Sequence, residues 1–242
     1  MRYGLISDIH GNLEAFQASL DALSKDSIDE YLCIGDVVGY GADPQGCIRL
    51  VKSLEPKVLI AGNHEWGVLG LVDLGYFTET AKDAILWTKA VLSQDELEFL
   101  KSFRVVYEDE TLTLVHGSLE SPEKFNYIFN RDDAYFTTRL QKTHLCFVGH
   151  THRPGVFCYN NEAIAYIMEH EVKIDSYKKY IVNVGSIGQP RDGDPRASYA
   201  IYDDEKRTIE IRRVEYDIRI SQGKILKAGL PVKLAYRLSI GA

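Results

Sequence analysis

Five short segments offer metal-binding side chains in chain order. They are Asp8-Ile9-His10, Gly35-Asp36, Gly62-Asn63-His64, His116-Gly117 and Gly149-His150-Thr151-His152. Together they hold five of the seven histidines. One such segment alone would be structural or accidental; all five in order point to a site for two metal ions. Imidazole suits Mn, Fe, Zn and Ni, whereas carboxylate and amide oxygens suit harder ions. The mixture argues against calcium, which takes oxygen ligands only. Cys33, Cys47, Cys146 and Cys158 lie far apart, so a structural zinc site on thiolates is not expected. Two adjacent divalent ions suit attack on phosphate esters by a metal-bound hydroxide.

The elements that must position these residues are legible as apolar runs. Tyr3–Ser7, Tyr31–Ile34, Val58–Ala61, Leu112–Val115 and Leu145–Val148 read as strands, and each ends just before a candidate ligand. Open α/β sheets place their sites at such carboxyl ends. In extended chain, residues i and i+2 share a side. Asp8 with His10, and His150 with His152, are therefore expected to reach one ion each. The glycines at 11, 35, 62, 117 and 149 permit close backbone approach and unusual φ. Helical periodicity marks Asn12–Leu23, with Leu13, Phe16, Leu20 and Leu23 on one face. Pro44–Leu54, Glu79–Leu92, Gln94–Phe103, Arg131–Gln141 and residues 219–229 also read as helices, and 230–242 as an extended tail. From Gly155 onward β-like runs dominate: Val156–Tyr159, Ala163–Ile167, Tyr180–Val184, Ala197–Tyr202 and Thr208–Val214. Two packed β-sheets with helices outside, an α/β fold, satisfy this order. No linker, repeat or low-complexity tract interrupts it, so residues 1–242 are expected to form one domain.

The order D-x-H, G-D, G-N-H, H-G, G-H-T-H resembles the calcineurin-like metallophosphoesterase superfamily, from residue 1 to about 200. The stretch from Asn183 to Asp192 is similar to a segment of its small single-domain bacterial and archaeal members. The resemblance implies the metallophosphoesterase α/β sandwich and a dinuclear centre with a bridging hydroxide that attacks phosphorus in line. It implies that Asp8, His10 and His152 hold one ion, that Asn63, His116 and His150 hold the other, and that Asp36 bridges them. His64 would not bind metal; it would stabilise phosphate oxygens or protonate the leaving alkoxide. Mn is the first choice of metal, with Fe, Zn, Ni or Co as alternatives. One departure concerns specificity. Relatives acting on protein serine and threonine carry G-D-x-V-D-R-G, whereas this chain reads Gly35-Asp-Val-Val-Gly-Tyr-Gly41. The phosphate-clamping arginine is absent there, so Arg191 or Arg153 is the candidate substitute. Tyr40, between two glycines, is a candidate for substrate contact.

Composition bounds the rest. A length of 242 residues with 45% hydrophobic content suits a large α/β domain. No apolar run approaches the ~20 residues of a membrane span. The first strand begins at once without a basic, cleavable leader, and four scattered cysteines fit a reducing compartment; a cytoplasmic address is expected. A net charge of −7 speaks against a dedicated nucleic-acid surface. His144 and His170 match no segment and read as surface residues. The run Phe125–Phe129 reads as core or subunit contact before substrate platform, which leaves a homo-oligomer open. The function expected is hydrolysis of small phosphate mono- or diesters or nucleotides. A dinucleoside polyphosphate hydrolase is the near alternative; a nuclease and a non-catalytic scaffold of the same fold stand further off.

Overall fold

The computed structural model describes residues 1–242. The strands are β1 (Arg2–Ile6), β2 (Glu30–Cys33), β3 (Val58–Leu59), β4 (Val106–Glu108), β5 (Leu112–Val115), β6 (Leu145–Val148), β7 (Gly155–Tyr159), β8 (Ile164–Ile167), β9 (Glu171–Lys173), β10 (Lys179–Asn183), β11 (Ala197–Asp203) and β12 (Thr208–Val214). The helices are α1 (Leu13–Leu23), α2 (Pro44–Leu54), α3 (Asn63–Leu69), α4 (Glu79–Val91), α5 (Gln94–Lys101), α6 (Arg131–Leu140), α7 (Ile218–Lys227) and α8 (Val232–Leu238).

The strands form two mixed six-stranded sheets, ordered β3-β2-β1-β11-β12-β9 and β4-β5-β6-β10-β7-β8. β1, β2 and β3 run parallel, and so do β5, β6 and β10. Parallel neighbours align their carboxyl ends. Each sheet therefore brings its candidate ligands to one edge.

Alternation along the strands explains the layering. Leu5 and Ile34 face Leu114 and Phe147 in a core shared by both sheets. Ile6 and Cys33 point the other way, onto Phe16 of α1 and Ile48 of α2. Val148 and Ile181 similarly meet Ala134 of α6. Each fully buried Leu, Ile or Phe contributes about 1.5–3 kcal/mol relative to exposure. The two apolar layers of the first sheet thus hold its edge rigidly beneath the site.

The helix ends follow local chemistry. The Asn12 side chain accepts from Ala15 N–H and starts α1. Ser93 and Glu96 form a reciprocal box that starts α5. Four elements depart from expectation. Residues 230–242 are not an extended tail: α8 forms there because Leu234 and Leu238 share a face that packs on Ala84 of α4 and Ile225 of α7. β3 spans only Val58–Leu59: Ile60 still donates to the Cys33 carbonyl, but Ala61 turns its N–H to the Arg104 carbonyl and leaves the β2 ladder before α3 starts at Asn63. The short edge strands β4 and β9 carry too few alternations to be read from sequence. No helix is long and apolar enough to cross a membrane.

Candidate metal centre

Asp8 and His10 follow β1, Asp36 follows β2, Asn63 opens α3 after β3, His116 follows β5, and His150 and His152 follow β6. Ligand atoms of Asp8, His10, Asp36 and His152 lie within 4.8 Å of one another, as do those of Asp36, His116 and His150. Asp36 belongs to both groups.

The local reason for this convergence differs from the extended-chain expectation. φ is +51° at Asp8, +50° at His10, +52° at Asp36, +66° at His150 and +58° at His152. Left-handed turns, not pleat alternation, aim these side chains. Such a conformation costs an L-residue about 1–2 kcal/mol, and clusters of it mark functional sites. Surrounding bonds hold it in place. Ser186 Oγ donates to the Asp8 carbonyl at 2.8 Å, and Asn183 Nδ2 donates to the Gly149 carbonyl at 2.6 Å. The Glu65 carboxylate accepts from the amides of Gly62, Asp36 and Val37, each at 2.8 Å, and of Val38 at 3.2 Å. Gly62 matters for approach: a Cβ there would strike the Asp36 carboxylate.

The imidazoles are oriented by carbonyls. His10 Nδ1 lies 3.1 Å from Val38 O, His116 Nδ1 2.7 Å from Ile34 O, and His152 Nδ1 2.6 Å from Gln189 O. A carbonyl only accepts, so each Nδ1 donates its N–H and each ring turns Nε2 inward, the atom left to meet a proton or a metal ion. His10 Nε2 and His152 Nε2 face each other at 3.0 Å. His152 Nε2 is 3.2 Å from Asp8 Oδ1, and His116 Nε2 is 3.2 Å from Asp36 Oδ2. Asn63 Oδ1 and His116 Nε2 are buried with no hydrogen-bond partner. Acceptors facing acceptors in a buried site require positive charge between them, from protons or from metal ions. The donor set, imidazole with carboxylate and amide oxygen, fits divalent transition metals.

Electrostatics agree. Burial opposes the charges of Asp8 and Asp36, but facing imidazoles outweigh it and hold both carboxyls far below their ordinary range. Burial also opposes protonation of His116, yet Asp36 and Asp8 push it up to about 10. Burial, aided by His116, drives His150 down to about 3; burial, aided by Arg191, does the same to His152. Burial and the Asp36 charge push the Glu65 carboxyl up to about 7, although the Gly62 and Asp36 amides favour its ionised form.

His64 stands beside the cluster, its ring centroid 4.7 Å from His10 and 4.4 Å from Tyr40. Burial holds it well below its usual value, hence neutral. Its Nδ1 is buried and unpartnered. Gly39, at φ +90°, makes room for it: a Cβ would overlap the imidazole. Tyr40 also packs 4.6 Å from the His10 ring, and the Arg191 guanidinium lies 5.5 Å over Tyr40. Arg153 sits further out, over Phe129 at 5.8 Å.

The run Phe125–Phe129 divides. Phe125 and Ile128 are buried, as expected of core. Tyr127 instead stacks on His150 at 3.9 Å and 12°, and Phe129 stacks on Tyr127 at 4.9 Å and 18°. Tyr127 is 44% and Phe129 55% exposed, so this ladder runs outward from His150 to solvent. His144 and His170 are exposed, as expected. Sequence reasoning gave no role to Glu65, Asn183 and Gln189. Asn183 and Gln189 lie in the stretch 183–192 already set apart by its resemblance, and Glu65 is signalled as the charged residue between His64 and the apolar run Trp66–Leu71.

Comparison with known proteins matches this arrangement to a family. The chain is 41% identical over 241 residues to an uncharacterized protein of Methanocaldococcus jannaschii, covering 98% of this chain and 97% of that one. Its fold superimposes on a metallophosphoesterase crystal structure from Sphaerobacter thermophilus with a TM-score of 0.87 and 38% identity, covering 100% of this chain and 99% of that one. A symmetrical bis(5'-nucleosyl)-tetraphosphatase of Coxiella burnetii is 30% identical over 129 residues, 50% of this chain and 43% of its own length. Residues 1–207, which carry every loop of the cluster, match the calcineurin-like phosphoesterase superfamily domain, and the chain belongs to that superfamily.

Proposed function

We infer that this chain is a metal-dependent phosphoesterase acting on small phosphate esters or nucleotides. The carrying observation is the pair of buried acceptor groups that share Asp36. Two bound divalent ions, Mn before Fe, Zn, Ni or Co, would neutralise phosphate charge and supply a nucleophile from water near neutral pH. Asp8, His10 and His152 would hold one ion, Asn63, His116 and His150 the other, and Asp36 both. The carbonyls of Val38, Ile34 and Gln189 fix the tautomers that make three of these rings ligands.

The His64 ring packs on Tyr40 and His10 and belongs to neither acceptor group, which supports a role toward substrate; only its backbone N–H meets a carboxylate, donating to Asp36 Oδ1 at 2.9 Å. Its neutrality favours donation of an N–H to a phosphate oxygen over full proton transfer. Arg191, whose Nε is buried and unpartnered, would bind non-bridging oxygens through its planar fork. Tyr40 would floor the pocket beneath it. The placement of Arg191 over Tyr40 supports it over Arg153 as the substitute for the missing phosphatase arginine.

A dinucleoside polyphosphate as substrate is the second reading, favoured by the identity to the C. burnetii tetraphosphatase and by the Tyr127–Phe129 stack. The net charge of −7 argues against a nuclease, and the full ligand set argues against a scaffold. Four free, buried cysteines support a cytoplasmic setting. Tyr40 and Ala42 pack with helices α7 and α8, which supports residues 1–242 as one domain.

The test is a screen of Mn-reconstituted protein against phosphomonoesters, phosphodiesters, dinucleoside polyphosphates and phosphopeptides. Chelator-sensitive turnover of a small ester or nucleotide is the expected result. No turnover of any of them by protein that holds its metal would overturn the assignment.

A further inference from the structure

Three of the four candidate ligand rings are held by a hydrogen bond: His10, His116 and His152 each direct Nδ1 at a backbone carbonyl. His150 is the exception. Its backbone N–H donates to the Asp8 carboxylate at 3.1 Å, but its imidazole has no hydrogen-bond partner within the protein. Stacking holds it instead. Tyr127 lies on the ring at 3.9 Å and 12°, and His116 leans against it at 4.9 Å and 57°. Phe129 in turn stacks on Tyr127 at 4.9 Å and 18°, and the Arg153 guanidinium lies 5.8 Å from the Phe129 ring.

Tyr127 belongs to segment 118–130, whose other contacts reach the remaining ligands of the same group. Phe125 packs edge-on against the His116 ring at 6.1 Å and against Trp66 at 5.1 Å and 89°. Trp66 lies on α3, the helix that opens with Asn63. Phe125 has φ +51°, uncommon for a bulky residue. Ser118 N–H donates to the Asn126 carbonyl at 3.0 Å, and a Cβ at Gly117 would strike that same carbonyl. The chain that leaves His116 is thereby closed back beside Phe125 and Tyr127.

We propose that segment 118–130 clamps the ligands of the ion assigned to Asn63, His116 and His150, and that Tyr127 is the positioning residue that holds the His150 imidazole by its face, where hydrogen bonds hold the other three rings. This rests on the reading of the cluster as a dinuclear metal centre. A metal ion draws electron density from a ligand imidazole, and an electron-poor ring stacks more firmly on a phenol face. Tyr127 therefore raises affinity for this ion in particular.

The test is calorimetric titration of the metal-free protein with manganese chloride. The wild type should take up two ions. Tyr127→Ala should weaken one of them about two- to tenfold, the scale of one aromatic pair, and the other far less. Tyr127→Phe keeps the ring and should restore wild-type affinity; Tyr127→Leu is apolar without a π-face and should not. That comparison stands even where the alanine variant misfolds. In a His150→Ala background, Tyr127→Ala should change metal affinity no further, because the ring it acts on is gone. No change in the alanine variant, equal weakening of both ions, rescue by leucine as full as by phenylalanine, or an additive loss in the His150→Ala background would overturn the clamp while leaving the metal centre intact. Failure of the wild type to bind Mn would sink both together.

Discussion

Loading the metal-free protein with Mn must expel a proton from His116. In the absence of metal, Asp36 and Asp8 hold this imidazole protonated up to about pH 10. Its inward Nε2 is the atom a metal would need, because Nδ1 is committed to the Ile34 carbonyl. At pH 7 the proton is about three units from leaving freely, which sets a penalty of about 4 kcal/mol on metal entry. His150 and His152 lie near 3 and carry no proton to expel. From about pH 6 to about pH 8, affinity for the ion at His116 should therefore rise about a hundredfold. Isothermal titration in two buffers of different ionisation enthalpy measures the release directly. About one proton should come from His116, plus any lost by a bound water. Zero release with an affinity independent of pH would refute the placement of His116 in the cluster.

The same shift sets the stability of the chelated protein. A pKa raised in the folded state stabilises fully below the ordinary histidine value and fades as pH rises toward the folded one. His116 should therefore contribute up to about 5 kcal/mol near pH 6 that is lost by about pH 10. Asp8 and Asp36 run the other way: their depressed values stabilise above the ordinary carboxylate range and lose that contribution in acid. Thermal melts of chelated protein should fall from neutral to alkaline pH, while Mn-loaded protein holds.

Three further outcomes follow from the geometry. Asp36→Asn removes the carboxylate shared by both groups and should cost more than about a hundredfold in metal affinity, read by equilibrium dialysis; retention of two tightly held ions would contradict the shared role. His64→Gln should keep both ions and lower kcat by about 10²–10⁴-fold, and Gly39→Ala should mimic it by displacing the ring, at an added backbone cost of about 1–2 kcal/mol. Arg191→Ala should raise KM at unchanged metal content, with Arg191→Lys rescuing only partly because lysine lacks the fork; wild-type kinetics in the alanine variant would place Arg191 outside the site.

Much of the fold was legible because its signals are local. The runs before Asp8, Asp36, His116 and His150 are short and apolar with glycine close by, and β5 and β6 begin and end where their runs do, as β12 does with the later run Thr208–Val214. Pro44 and Ser93 mark helix starts by their own chemistry. The order of the five segments carried the candidate ligands, since few other purposes put histidine and aspartate at five strand ends. What stayed hidden depends on partners remote in sequence. Leu234 and Leu238 make a helix of the supposed tail only because Ala84 and Ile225 meet them. Gln189 and Val38 act through backbone carbonyls, which no side-chain pattern reports. The left-handed φ at Asp8, His10, Asp36, His150 and His152 is not written in the spacing, so the extended-chain rule gave the right partners for Asp8 and His10 for the wrong reason and wrongly paired His150 with His152, which the structure divides between the two groups. Tyr127 and Ile128 are adjacent apolar residues, and only the His150 ring decides which one faces the cluster.

Anomalous diffraction from crystals soaked in Mn tests the central claim most directly. Two peaks should appear, one among Asp8, His10 and His152 and one among Asn63, His116 and His150, with Asp36 touching both. A single peak that leaves either group without metal, or none within reach of Asp36 despite measured Mn binding, would contradict it.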